Sequence, residues 1–388
     1  MGVEPGFVSG DRARRAEASA HTISEIAVAS IGLALVVCSA AASQRWLDRH
    51  FLPSWFVPRQ WYVLIESTVR IVLAVCGVWL ALVARLCVGH FVARAPDRVL
   101  HVAIAAILAL GAGELVLRRV HSPSAEWLVR DEEPRRRRDP LLGWTFVPAR
   151  TGHNSIGGRV IEYSFDPAGY RVRRVDEPVD PEQPTILFTG ESVMFGEGLT
   201  WEESVPAQVG SMLGVQSANL AVHGFGSDQA YLRLKMELPR FRRPVAVVSL
   251  FMTALFGRNL DDDRPHLGPG LVWLPAEQQG KLASLAALLV PYRSDDTVES
   301  GITVTREVLR ATVNLARARG ATPLIVVPQF DVEAQVEQTL RRRILDETGV
   351  PYVLVEVDAA WHLPWDRHPD ARGAHAIAAA VAARLRWR

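Results

Sequence analysis

The apolar residues of this chain are unevenly placed, and that placement limits its fold more than any other feature. Within the first 120 residues lie three long stretches with little charge. From Ile26 to Gln44 there are 19 residues without a formal charge. A second stretch runs from Trp61 to Val92, with an uncharged centre, Ile71 to Ala84, between Arg70 and Arg85. The third, Val99 to Leu117, carries only His101 and Glu114. A helix of about 20 apolar residues, rising 1.5 Å per residue, crosses a ~30 Å hydrocarbon core. The sequence therefore predicts a tail of residues 1–21 and a membrane region of residues 22–120, with spans near 24–44, 62–88 and 99–118.

A lipid bilayer is thus the first expected partner. Arg12, Arg14 and Arg15 precede the first stretch, and Ser39 to Ser43 resembles a leader cleavage site. Asp11, Glu17 and Glu25 favour an uncleaved helix instead. Three spans, or a cleaved leader and two, both carry the C-terminal region out of the cytoplasm. The expectation is a multi-pass protein of a bacterial inner membrane with an extracytoplasmic domain. Arginine does not choose the orientation, because Arg85, Arg94 and Arg98 oppose Arg118, Arg119 and Arg135 to Arg138. The 43 basic and 42 acidic residues leave a net charge of +1, which argues against a nucleic-acid partner. The three cysteines, Cys38, Cys76 and Cys87, all fall in the expected spans. The rest of the chain can hold no disulfide, cysteine zinc site or cysteine nucleophile.

Residues 121–179 read as a linker and a β-hairpin elaboration, with short β-rich pieces broken by Pro and Gly between 139 and 174. From 180 to 388 short apolar runs alternate with helical patterns. Strands are expected at Thr185–Thr189, Ser217–Val222, Val245–Met252, Thr322–Val327 and Tyr352–Val357. Helices are expected near 202–213, 227–238, 303–319, 332–347 and 370–386. This alternation predicts an α/β domain with a doubly wound parallel sheet. Ligands of such sheets bind at the carboxyl ends of the strands, so the residues just after each run carry the chemistry.

After the first strand comes Gly190-Glu191-Ser192. A serine at this turn is either a plain helix cap or a hydroxyl aimed into the cleft, beside backbone N–H groups suited to an anion. After the second come His223 and Gly224; His223 either lines the cleft or is a satisfied polar group. Gly257-Arg258-Asn259 follows the third, where an asparagine amide can face a developing oxyanion. The contiguous Asp261 to Asp263 cannot easily converge on one ion, so no metal site is expected. After the last strand comes Asp366-Arg367-His368-Pro369-Asp370, a carboxylate two residues from a histidine, which suits an orienting acid beside a general base. His362 is the weaker candidate base, and His375 falls inside a helix.

In this order the blocks resemble the SGNH (GDSL-type) hydrolase family over roughly residues 180–386. Gly190-Glu191-Ser192 matches the first block with Glu for the usual Asp, Gly224 the second, and Gly257-Arg258-Asn259 the third, with Leu260 where Asp is usual. Asp366 and His368 match the fifth, although many members space the pair three apart, which leaves Asp370 as the alternative acid. Asp139 to Trp144 also looks like the segment before this domain in some membrane-anchored members. The resemblance implies a flavodoxin-like sheet and a serine esterase with Ser192 as nucleophile, His368 as base and Asp366 as orienting acid. It implies an oxyanion hole from the Ser192 and Gly224 N–H groups and the Asn259 side chain, with no cofactor. An acyl ester is the expected substrate. The alternatives are an O-acyltransferase acting on cell-envelope glycans with an envelope partner protein, and an inactive glycan-binding or scaffold module.

Overall fold

The computed structural model describes residues 7–52, 55, 58–120, 132–156, 158–277, 282 and 290–386. The start of the expected tail and residues 121–131 of the expected linker lie outside them. The chain divides into two compact units, one within 1–48, 57–120 and 280–291, the other within 49–56, 121–279 and 292–388.

The first unit is helical. Helix Phe7–Ala41 is followed by Arg59–Trp79, which continues through a π-helical turn, Leu80–Ala84, into Arg85–Arg94, and then by Pro96–Val120. Within these, Ala18–Ala41, Arg59–Arg94 and Asp97–Arg118 are long and apolar enough to cross a membrane. Their apolar side chains face outward, with Ile71 64% and Leu108 66% exposed, a surface suited to lipid rather than water. The first two helices approach closely at glycine. A Cβ on Gly32 would lie 2.5 Å from the Gly77 carbonyl oxygen, so only hydrogen fits between the backbones. Ser39 Oγ donates to the Arg70 carbonyl, and Arg70 Nε donates back to that of Ser39. Arg59 makes a two-pronged pair with Asp48 at 2.6 and 2.7 Å.

The second unit is α/β. In chain order its strands are β1 (Arg136–Asp139), β2 (Gly143–Phe146), β3 (Arg150–Ile156), β4 (Arg159–Phe165), β5 (Arg171–Val172), β6 (Pro184–Thr189), β7 (Gln216–Asn219), β8 (Arg243–Leu250), β9 (His266–Gly268), β10 (Val272–Leu274), β11 (Thr322–Gln329) and β12 (Tyr352–Glu356). Strands β1–β2 and β9–β10 form small hairpins, and the other eight form one sheet in the order β12-β11-β8-β6-β7-β5-β4-β3. Neighbours from β12 to β7 are parallel, and those from β7 to β3 antiparallel. Numbered by themselves from β6, the five parallel strands run 2-1-3-4-5, the flavodoxin-like order, with its switch point between β6 and β8.

Two details depart from expectation. The elaboration is part of the main sheet, because β5 pairs with β7 and carries β4 and β3 with it. The second parallel strand stops at Asn219, three residues early: Asn219 Oδ1 accepts from the Ala221 N–H, and Val222 N donates to the Gly190 carbonyl, which bends the chain toward the site. Helices Val205–Leu213, Ser227–Glu237, Asp295–Ala318, Gln335–Ile344 and Ala371–Leu385 pack against the sheet. Helix Asp295–Ala318 shows why: Val298, Ile302, Thr305, Leu309 and Val313 recur at helical spacing and are buried, while Ser294 caps its start by accepting from Thr297 N.

The antiparallel extension braces the turn after β6. Arg171 on β5 is fully buried, and its guanidinium donates to the carbonyls of Phe195 at 2.7 Å, Gly196 at 2.8 Å and Leu199 at 2.6 Å. It also lies over the Tyr163 and Phe195 rings. Tyr163 Oη accepts from Gly198 N, and Asn219 Nδ2 donates to the Met194 and Phe195 carbonyls. Replacing Arg171 with Met would take its donor from the buried Leu199 carbonyl, at about 1–3 kcal/mol, and leave Phe195 to Asn219 Nδ2 and Gly196 to Leu199 N. The expected result is a loss of about 1–3 kcal/mol in the stability of the α/β unit, read by denaturant unfolding of the full-length protein.

Candidate active site

The turn after β6 sets the position of Ser192. Gly190 has φ of 151°, and a Cβ there would lie 2.7 Å from that of Leu250, so the turn requires glycine. Glu191 caps the short helix Ser192–Phe195, its Oε1 accepting from Val193 N at 3.1 Å. Ser192 is fully buried at the start of this helix, at the carboxyl end of β6.

His368 arrives from the loop after β12. Its Nε2 lies 2.7 Å from Ser192 Oγ, and its Nδ1 lies 2.9 Å from Asp366 Oδ2. Asp366 Oδ1 also accepts from the His368 backbone N–H at 2.7 Å, so the two-residue spacing lets one carboxylate hold both ring and backbone. Asp370, the alternative acid, instead caps helix Ala371–Leu385, accepting from Arg372 N and Gly373 N, and pairs with the Arg372 side chain. His362 Nδ1 contacts the Leu363 carbonyl, and His375 Nδ1 contacts Gln208 Oε1. The chain therefore brings Ser192, His368 and Asp366 together and leaves the competing groups elsewhere.

Burial opposes a charge on His368, but the hydrogen bond and charge of Asp366, with the charges of Glu197 and Glu191, outweigh it and raise its pKa. Burial pushes Asp366 toward its neutral form; the His368 hydrogen bond and charge overcome this and hold its carboxyl below the usual range. Glu191 Oε2 lies 2.5 Å from Ser192 Oγ and accepts from Arg258 Nη1 at 3.0 Å. The single hydroxyl proton thus has two acceptors. With His368 neutral its Nε2 lone pair takes that proton, and with His368 charged the hydroxyl turns to Glu191.

No family model and no curated protein matches the sequence. Among solved structures, the chain is similar to one described as a lipolytic protein of the G-D-S-L family from Desulfitobacterium hafniense DCB-2, at 13% identity and a TM-score of 0.34, over 52% of this chain and 99% of that one. It is also similar to an acetyl xylan esterase from Butyrivibrio proteoclasticus, at 11% identity and 0.33, over 54% of this chain and 65% of the other. A family two carbohydrate esterase from Cellvibrio japonicus gives 13% and 0.32, over 54% and 62%.

The expected oxyanion donors have different fates. Gly224 lies in the turn after β7 with φ of 81°, and its carbonyl accepts from Arg264 Nη1. Asn259 is held between two helices. Its Nδ2 donates to Ser227 Oγ at 3.2 Å and Thr305 Oγ1 at 3.0 Å, and its Oδ1 accepts from Ser227 N. Both amide hydrogens are engaged in tying the start of helix Ser227–Glu237 to helix Asp295–Ala318, so neither is aimed at the serine. A cavity of about 20 Å³, room for one water, lies between Glu191, Arg258, Asn259 and Phe225. Among the described residues no cluster of metal ligands occurs. Asp261 pairs with Arg264 and Arg293 instead.

Two features had no counterpart in the sequence reading. His223 Nδ1 lies 2.9 Å from Glu197 Oε2, and its ring centroid lies 6.4 Å from that of His368. Trp55, from the segment between the first two apolar helices, stands edge-on to His368 with centroids 5.3 Å apart, and packs 5.4 Å from Phe330. That segment is further held by Arg49 on Asp295 and Glu299, and by His50 on the Arg293 carbonyl.

The charged and titratable groups facing His368 are Asp366, Glu197, Glu191 and His223. Because the base must be neutral, its raised pKa keeps the inactive charged form populated to higher pH. Modification of Ser192 by a fluorophosphonate is expected to fall on acidification with a midpoint above the ordinary imidazole value of 6.5. Glu191→Gln removes one of the anions and is expected to move that midpoint down, measured as labelling rate against pH.

Proposed function

We propose that the α/β unit is a serine esterase of the SGNH type. The observation that carries this is the continuous hydrogen-bonded chain Ser192–His368–Asp366 at the carboxyl ends of the parallel strands. His368 takes the Ser192 proton as Oγ attacks an ester carbonyl, and Asp366 holds the imidazole in the tautomer with hydrogen on Nδ1 and stabilises the imidazolium that forms. The leaving alcohol takes the proton from His368, and water then releases the acid. The Ser192 and Gly224 N–H groups are the proposed oxyanion donors, without the Asn259 amide.

We place the domain outside the cytoplasm of a bacterial cell, on a multi-pass inner-membrane anchor. Trp55 packs in the same unit as His368, yet two apolar helices separate its segment from the domain after the third. Two crossings return the chain to one face. With the residues before the first span in the cytoplasm, one crossing carries Trp55, and three carry the α/β unit, to the outer face.

The test uses the full-length protein in detergent, with fluorophosphonate labelling and hydrolysis of short acyl nitrophenyl esters. Ser192→Ala is expected to abolish labelling and lower turnover by about 10³-fold or more. A folded wild-type protein that neither labels nor turns over would overturn the proposal.

A further inference from the structure

A second carboxylate–imidazole pair stands beside the first. Glu197 follows the helix that begins at Ser192, and His223 immediately precedes Gly224. The Glu197 side chain is largely buried, whereas that of His223 is 28% exposed, against 4% for His368. Trp144 Nε1 donates to the His223 carbonyl at 3.0 Å, which fixes the backbone carrying the ring. Burial favours neutral Glu197, but the charge and hydrogen bond of His223, with the charges of His368 and Arg171, keep its carboxyl below the usual range. Glu197 accepts the His223 Nδ1–H, and in the neutral imidazole Nε2 then carries the lone pair.

We propose that the Glu197–His223 pair is the acceptor site of the second half-reaction, where His223 Nε2 accepts a hydrogen bond from a hydrogen of the incoming acceptor that does not react, the second hydrogen of water or that of a neighbouring hydroxyl in a polyol such as a sugar. The inference rests on Ser192 acting as nucleophile. Its basis is geometric: the more exposed of the two imidazoles is held by a buried carboxylate, with its ring 6.4 Å from the one that contacts Ser192. A pair serving only to satisfy a buried glutamate has no need to turn its histidine toward solvent. In the step itself the acceptor oxygen bonds to the acyl carbon while its proton passes to His368. The bond from acyl carbon to Ser192 Oγ then breaks, and His368 returns the proton to Oγ. His223 orients the acceptor and consumes no proton.

The experiment separates the half-reactions in the full-length protein, with His223→Gln and Glu197→Gln beside wild type. Fluorophosphonate labelling reads attack by Ser192, and nitrophenyl acetate reads a burst followed by steady turnover. At a pH above the His368 midpoint, where losing the Glu197 charge leaves the base neutral, labelling is expected to stay within about threefold of wild type while steady turnover falls about tenfold or more, with a burst near one nitrophenol per serine. Methyl glucoside or glycerol, added as a competing acceptor, is expected to capture a smaller share of the acyl group in the variants. Labelling and turnover that fall together, or that both stay unchanged, would overturn the proposal. If Glu197→Gln fails to fold, His223→Gln carries the test alone, because its side chain is partly exposed. Failure of the underlying esterase reading looks different: wild type and Ser192→Ala would then label alike.

Discussion

Arg171 donates to three backbone carbonyls of the turn that follows Ser192, and the geometry of the site depends on that contact. Burying a cation costs several kcal/mol, and the offset comes from charge-assisted hydrogen bonds of about 1.5–3 kcal/mol each and from the two aromatic rings beneath. The carbonyls at the end of a four-residue helix have no partners within it, so a donor from outside must satisfy them. A two-residue strand supplies that donor, which gives the antiparallel edge of the sheet a purpose. Phe146, Phe165, Tyr163 and Phe195 stack beneath the same turn and keep water from competing for those carbonyls.

Three carboxylates, Asp366, Glu197 and Glu191, bear on one buried imidazole. Each has a separate mooring: Asp366 on the His368 backbone, Glu197 on His223, and Glu191 on Arg258 and Val193. The longer side chain of Glu191 lets one oxygen cap the helix while the other reaches Ser192 Oγ. The length of this side chain therefore sets the surroundings of the hydroxyl proton as well as capping the helix.

The parallel half of the sheet was legible because its strands are short apolar runs separated by helical patterns; Ser192 stands three residues after the first run, whereas Asp366 and His368 stand nine and eleven residues after the last, so only the order of the blocks tied them to it. Helix Asp295–Ala318 begins eight residues before the expected start, since Ser294-Asp295-Asp296 supplies a cap and acidic first turn ahead of the apolar repeat. The partners of Asn259 were not legible for a tertiary reason: where its two hydrogens go depends on Ser227 and Thr305, which no local pattern ties to it. Glu197 and His223 were both visible, but a pair formed across 26 positions leaves no spacing signal. Trp55 lay between two hydrophobic stretches that claimed the whole region for the bilayer. Arg171 sat in a segment too short to show a strand period.

The placement of Trp55 sets a timetable for the chain. The segment that carries it is made before the second apolar helix, whereas the ring it meets belongs to the loop after β12. At 5–20 residues per second, roughly 300 residues of synthesis keep these partners apart for some 15–60 seconds. During that interval the indole has no His368 to pack against, and no cleft can close over Ser192. Assembly of the site therefore waits for β12 and the loop after it, so a chain cut short before them would carry the apolar helices without this centre.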